Sequence, residues 1–438
     1  MTQPTLSHDE IGDQWIAKYG SQVMYSRSKF WRFEEGLWVP LPQIERELWL
    51  TAVGLEKVRA TKSLVSSVRA YLSSVLWVDE KQLDENPDLI NMQNGTLSLS
   101  TGEFREHRAA DHLTTMLGFA YDDTAQCPRW RQFLAEVLVT ADEEPDAGLI
   151  LFMQEAFGYS LTIGVEHEMS FWLVGEGANG KSTLLHVLEL LAGNSAIHLN
   201  LGVLAKSGGE YQLADLGGKR VVVCAEAPET TVADATLKQI VSGDPMMVRP
   251  PYGFPFVIRP IAKVWWAMNT PPKVSDSSEG FWRKLAVLPF NRSFDIDERD
   301  RQLRGKLAGE LAGIFNWSLN GLHRLRERGH FSEAEASVSA TEQFRTESDP
   351  VGTYLSECLL TTFGTSTSSA VLYQTYREWC KASGVMPLSS TRFGRELRRK
   401  GFKPVRQHGQ RVWQGLELID DSLVREFVTA AQGKHDSR

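Results

Sequence analysis

The stretch Gly175-Glu176-Gly177-Ala178-Asn179-Gly180-Lys181-Ser182 narrows most what this chain can fold into. It fits G-x-x-x-x-G-K-[ST], a pattern that works only between a buried strand and a helix. Both flanks comply. Phe171-Trp172-Leu173-Val174 reads as the strand, and Thr183-Leu184-Leu185-His186-Val187-Leu188 as the helix. Glycines there let backbone N–H groups turn inward around phosphate oxygens. Gly175, Gly177, Asn179, Gly180, Lys181, Ser182 and Thr183 are therefore the expected nucleotide-binding set, with ATP and Mg²⁺ as ligands. Lys181 is expected to reach the β- and γ-phosphates and the Ser182 hydroxyl to bind Mg²⁺, at the positive end of the following helix.

Three further features follow in order. Val221-Val222-Val223-Cys224-Ala225 reads as a buried parallel strand ending at Glu226, a carboxylate suited to polarising an attacking water. The position before it, where P-loop enzymes commonly carry an Asp for Mg²⁺, is Ala225; Glu226 does both jobs, or Glu229 or another acid serves the metal. The strand Lys263–Met268 ends at Asn269, whose amide can bond a γ-phosphate or simply open the turn at Thr270-Pro271-Pro272. Arg283-Lys284 then precedes the strand Leu285–Phe290, where either cation can act as a finger on a neighbouring subunit's γ-phosphate. A finger of that kind requires a homo-oligomer.

The chain's net charge of −8 hides a reversal near its C-terminus. Val371–Cys380 has helical apolar spacing and stops at Gly384; Ser389-Ser390-Thr391 can cap a second helix. In that helix Phe393 and Leu397 face a core while Arg392, Arg395, Arg398 and Arg399 face out. Two short strands, Phe402–Arg406 and Gln410–Trp413, flank the His408-Gly409 turn. The arrangement predicts a winged helix whose basic helix enters duplex DNA; a solvated basic face or a protein-docking module is the alternative.

Elsewhere, Glu35-Gly36 marks a hairpin, Lys57 to Leu76 a helix, and Trp130–Val139 and Leu149–Tyr159 two more. The expected organisation is an N-terminal mixed α/β region over 1–125, a helical collar over 126–165, a P-loop ATPase core over 166–330, a Ser/Thr/Glu-rich linker over 331–349 and a winged-helix DNA-binding domain over 350–438. The fold class is α/β with a largely parallel sheet. Cys127, Cys224, Cys358 and Cys380 lie far apart, which argues against a disulfide framework and suits a reducing compartment. Met1–Gly12 is polar and acidic, and no apolar run approaches the length of a membrane span; a cytoplasmic protein, in a bacterial host, is expected.

The P-loop, Glu226, the segment Leu237-Lys238-Gln239-Ile240-Val241-Ser242-Gly243-Asp244, Arg249, Asn269 and Phe281-Trp282-Arg283 together resemble superfamily-3 helicases, in the phage, plasmid and poxvirus primase-helicase branch. Asn91–Leu97 with Thr101-Gly102-Glu103 resembles the segment ahead of the ATPase in that branch. The resemblance implies an AAA+-like core, a hexameric ring and ATP-driven unwinding of forked DNA during replication of a mobile element. It further implies that Lys238, Arg249 and Tyr252 face single-stranded DNA in the ring channel, as a cation on phosphate or an aromatic on a base would. The family often has two arginines where this chain has Arg283-Lys284. No acid-rich catalytic pattern precedes the core, so a separate primase partner is expected. An initiator or regulatory DNA-binding ATPase without unwinding activity is the alternative reading.

Overall fold

The computed structural model describes residues 6–54, 60–200, 210–224, 234–250, 253–272, 274, 278–407 and 409–419. The chain forms two compact units, one of Met1–Ser275 with Arg283–Val338, the other of Asp276–Trp282 with Ser339–Arg438.

The first unit opens with a helix, His8–Tyr19, started by a capping box between Ser7 and Glu10. A meander follows: β1 (Val23–Ser26), β2 (Lys29–Glu34) and β3 (Leu37–Pro40). Glu35 and Gly36 both have positive φ, at 48° and 82°, the geometry that turns a right-twisted two-stranded ribbon tightly. Helices Ile44–Gly54 and Lys62–Val75 cover it, and Ile11, Trp15, Phe30, Leu48, Val68 and Leu72 form its core.

A second meander comprises β4 (Leu89–Met92), β5 (Gly95–Ser98) and β6 (Phe104–Arg105). Here the Asn91–Leu97 segment has a structural task. Asn91 donates through Nδ2 to Gly36 O at 2.9 Å and accepts from the Thr96 hydroxyl, joining the two meanders. Asn94 exchanges two hydrogen bonds with the backbone of Tyr121.

Helices Pro128–Val137, Ala147–Ser160 and Leu311–Arg328 pack beside the main sheet. Glu155 is fully buried between the last two and is held by Arg324, Arg328 and both the N–H and hydroxyl of Ser332. Burial alone would raise its pKa, but those hydrogen bonds outweigh it and keep the carboxyl below the usual range.

The main sheet contains β7 (Ser170–Val174), β8 (Ala196–Leu199), β9 (Val221–Cys224), β12 (Lys263–Met268) and β13 (Leu285–Pro289). Between β9 and β12 in sequence lies a separate hairpin of β10 (Met246–Val248) and β11 (Phe256–Ile258). The main sheet's order is β13-β7-β12-β9-β8, and every pairing is parallel. The apolar runs follow from that: a parallel strand covered on both faces cannot alternate polar with apolar.

In the second unit, helix Glu335–Glu347 contributes its residues from 339 onward, so the stretch expected as an unpatterned linker is mostly helical. Helix Pro350–Cys358 leads into β14 (Leu359–Ser368), then helices Ser369–Ala382 and Ser390–Arg399, and the hairpin β15 (Pro404–Gln407) and β16 (Gln410–Leu418). The sheet order is β14-β16-β15, all antiparallel. Ser389 caps the basic helix by accepting from Arg392 N, and Phe393 and Leu397 lie in the core with Tyr354, Tyr376 and Trp413. The helix Pro350–Cys358, capped by Asp349 with Pro350 in its first turn, and β14 were not among the elements expected from sequence.

Candidate functional site

The C-terminal ends of β7 and β12 lie level, with Val174 paired to Met268, so the loops after them begin side by side. Gly175 N–H bonds Met268 O at 3.3 Å, and Asn269 is the next residue along that strand. In open parallel sheets such a strand-end edge is where ligands settle.

The loop's shape is fixed by contacts with its surroundings. A Cβ on Gly175 would fall 2.2 Å from Phe290 O, and Gly180 combines φ +91° with a Cβ position 2.7 Å from Val137 Cγ1. Those two glycines are sterically required; at Gly177 a Cβ would meet nothing. Ala178 has φ +61° and accepts from Phe294 N–H at 2.9 Å. The Asn179 side chain is buried and bonds Glu176 O and Phe290 O, so its amide is a strut within the loop.

Lys181 begins the helix Lys181–Ala192 and is buried. Its ammonium donates toward Gly175 O, Glu176 O, Asn179 Oδ1 and, at 3.4 Å, Asn269 Oδ1. Two motifs separated by 88 positions thus converge on one cation. An ammonium has three protons, so these neutral oxygens share them. Ser182 is exposed and Thr183 half-buried at the start of the same helix, where N–H groups and the dipole favour an anion.

Glu226, with Ala225 and Glu229, lies outside the described residues, as does Tyr252. Among the described residues no group of three or more His, Cys, Asp or Glu is placed to hold a metal. Mg²⁺ bound with a nucleotide needs only one or two protein oxygens beside its phosphates and waters, and the Ser182 hydroxyl fits that demand.

Lys238 sits on helix Asp234–Ser242, which buries Leu237, Ile240 and Val241. Arg249 follows β10 and bonds Gly253 O through Nε at 3.0 Å. The β10–β11 hairpin also presents Met247 and Phe254 at 73% and 92% exposure. Phe254 was missed in the sequence reading. Its signal was there, since a Phe between Gly253 and Pro255 in a turn has no strand or helix face through which to enter a core.

The two finger candidates separate sharply. Lys284 has a side chain only 9% exposed, ion-paired to Glu168 and donating to Ser242 Oγ at 2.7 Å. Arg283 is 65% exposed at its side chain and, among the described residues, is ion-paired to Glu168 at 3.5 Å. Lys284 is therefore committed within its own chain, tying the end of the Lys238 helix to β13. Arg283 is the cation with reach.

In the second unit Arg392, Arg395, Arg398 and Arg399 are all exposed on helix Ser390–Arg399, and Arg399 pairs with Glu396 at 2.9 Å. All four cysteines are buried and free. Among the described residues no helix is long and apolar enough to cross a membrane.

Three family models match in succession. "D5 N terminal like" covers residues 5–139, a family of unknown function (DUF5906) covers 173–284, and "Poxvirus D5 protein-like" covers 346–414. The middle match runs from the P-loop strand to Lys284, enclosing every candidate residue of the nucleotide site. The chain is 25% identical over 333 residues to the helicase candidate L207/L206 of Acanthamoeba polyphaga mimivirus, covering 69% of this chain and 34% of that protein. It is 26% identical over 247 residues to the helicase candidate 184R of Invertebrate iridescent virus 6, covering 52% and 25%. The chain thus spans about a third or less of the length of these curated relatives. Among solved structures, the apo C-terminal region of NrS-1 superposes with a TM-score of 0.53 at 10% identity, over 95% of this chain and 100% of that one, a likeness of fold. D5-type matches thus lie on both sides of the P-loop segment, and proteins named as helicase candidates are among the viral relatives, in agreement with the primase-helicase group that the chain's motifs resemble.

Proposed function

We propose that this protein is an ATP-dependent DNA helicase of the superfamily-3 type, working as a ring of identical subunits in the replication of a phage, plasmid or related element. The observation that carries the proposal is the meeting of Lys181 and Asn269 at the C-terminal edge of an all-parallel β13-β7-β12-β9-β8 sheet. That order, with the Asn269 strand between the P-loop strand and the strand before Glu226, suits an AAA+-like core. The names of the viral relatives add the helicase reading.

In this mechanism Lys181 and the loop N–H groups would hold the β- and γ-phosphates, and Ser182 with Glu226 would hold Mg²⁺. Glu226 orients the water, and Asn269, already within reach of Lys181, senses the γ-phosphate. Arg283 of the adjacent subunit offsets transition-state charge; its exposure favours it over Lys284. Lys238, Arg249 and Tyr252, with Phe254 added, grip single-stranded DNA by phosphate contact and base stacking. The second unit, read as a winged helix, binds duplex DNA through Arg392, Arg395, Arg398 and Arg399. A separate primase completes priming. The domain limits expected from sequence belong to this same reading.

The test is ATP hydrolysis and strand separation on a forked duplex by the purified protein, with ring formation followed by electron microscopy in the presence of nucleotide. Stimulation of hydrolysis by single-stranded DNA together with strand separation is expected. Hydrolysis indifferent to DNA, with no separation, would replace the helicase by an assembly switch.

A further inference from the structure

We infer that Glu168 is a positioning residue for ATP hydrolysis, its carboxylate seating the Arg283 finger for the neighbouring subunit's nucleotide; this rests on Arg283 acting across a subunit boundary. Both residues lie at the end of the main sheet away from their own P-loop. Glu168 stands two residues before β7 and Arg283 two before β13, and these strands are parallel, with Ser170 paired to Leu285. The length of β7 puts about 16 Å of strand between Glu168 and the P-loop that follows. A cation anchored at that end is badly placed for its own nucleotide and well placed for one across a seam.

One oxygen of Glu168 takes both neighbouring cations. Lys284 Nζ is ion-paired to Oε2 and, with its side chain 9% exposed, also donates to Ser242 Oγ at 2.7 Å. Arg283 Nη2 lies 3.5 Å from the same Oε2, with its side chain 65% exposed. The carboxylate thus offsets the repulsion between adjacent cations and leaves the surplus positive charge on the solvent-facing one. A guanidinium has five N–H donors, so a contact at one nitrogen is compatible with a phosphate at another.

The carboxylate is itself held from several sides. Glu168 has φ +47°, a left-handed conformation that a residue with a side chain keeps only where its surroundings impose it. Its N–H bonds Val165 O at 2.9 Å, closing a turn over residues 165–168. Gly243, just past helix Asp234–Ser242, packs on that turn: a Cβ there would fall 2.8 Å from Val165 Cγ2. Ser170 fastens the strand of the finger, its N–H and hydroxyl both donating to Lys284 O at 2.8 Å. Such a seat matters because an exposed arginine samples many rotamers, and a misplacement of about 1 Å in a catalytic group can cost about 10²-fold.

The experiment mixes full-length subunits. Lys181→Ala protein keeps its finger and lacks a working site; Arg283→Ala protein keeps its site and lacks the finger. Each alone should turn over poorly, and mixing them should restore ATP hydrolysis at seams where the first serves the second. Glu168→Gln added to the finger donor should lower the recovered kcat about tenfold with the KM for ATP unchanged, because a finger acts in the transition state. Added to the site-bearing subunit, it should cost no more than about twofold. Glu168→Asp, which keeps the charge one methylene short, should show the same one-sided loss at smaller size, and it decides the matter if the Gln variant does not fold. Equal losses on the two sides would make the carboxylate structural, and a higher kcat from the donor change would make it a restraint; either overturns the inference. No recovery in the mixture without a Glu168 change would remove the finger reading itself, and the role of Glu168 with it.

Discussion

The two edges of the parallel sheet both carry buried cations, yet only one edge looks like a site. At the N-terminal edge Arg220 precedes β9 and Lys263 begins β12. Arg220 donates to Leu161 O at 2.8 Å, and Lys263 to Thr162 O at 2.6 Å and Ile261 O at 3.1 Å. Leu161 and Thr162 follow helix Ala147–Ser160, so these cations sit against carbonyls at the negative end of a helix. Burial, and then repulsion by Arg220, hold the Lys263 amine well below the ordinary lysine range. At the C-terminal edge Lys181 is almost as buried, but its partners include carbonyls of a glycine loop and two side-chain amides, and Ser182 and Asn269 beside it are exposed. A buried cation alone is therefore no mark of function. What distinguishes the site is that its partners can be exchanged for phosphate oxygens and that solvent reaches the neighbouring polar groups.

This contrast is most directly broken at its centre. Lys181→Ala should abolish ATP hydrolysis while the melting temperature and duplex binding stay near the parent's; retained turnover would remove the loop from the mechanism. Next in size, Arg283→Ala should lower kcat by about 10³-fold with little change in stability, as expected of an exposed finger. Lys284→Met should do the reverse. It strips a partner from Glu168 and Ser242 and should destabilise the fold by about 1–3 kcal/mol in denaturant titrations, with any loss of turnover following from lost folded protein. If the two variants exchange these effects, the finger is Lys284.

The N-terminal edge gives a smaller effect with a definite sign. Because the folded pKa of Lys263 is lowered, the unfolded chain binds more protons between that value and the ordinary lysine pKa, and stability rises with pH across this window. Lys263→Met should flatten that alkaline rise by up to about one proton's worth of slope and leave ATP hydrolysis intact. An unaltered slope would mean that the amine keeps its charge in the folded protein. At the acid end, the lowered pKa of Glu155 means its contribution is full above the unfolded carboxyl pKa and fades as pH falls through the folded value. Glu155→Gln should therefore weaken the fold at neutral pH and reduce the acid dependence of unfolding.

The P-loop, its flanking strand and helix, the strands ending near Glu226 and at Asn269, and the basic helix with its Ser389 cap were legible because each rests on local signals: glycines where φ is positive or space is absent, unbroken apolar runs for covered strands, and a cap before an amphipathic stretch. Other features carry no local signal. Nothing in the sequence around Lys284 distinguishes it from Arg283; only Glu168 and Ser242, brought in by folding, do so. Asn91 resembled a family signature, but its work is to join two small sheets through Gly36. The exposed Phe254, by contrast, could have been anticipated from its Gly-Phe-Pro turn.

By itself the sequence determined the chemistry available to this protein: a glycine loop of a pattern suited to phosphate, an acid and an amide following apolar runs, and arginines gathered in one segment. These depend on spacing along the chain, which the sequence states outright. Only the tertiary structure decided which of those groups work together and which are consumed holding the fold. Lys181 and Asn269 became neighbours through the pairing of β7 with β12, Lys284 was withdrawn into an ion pair, and Arg283 was set beside Glu168 by the pairing of β7 with β13. Each outcome turns on partners distant in sequence, and a side chain's accessibility and charge environment are properties of those partners.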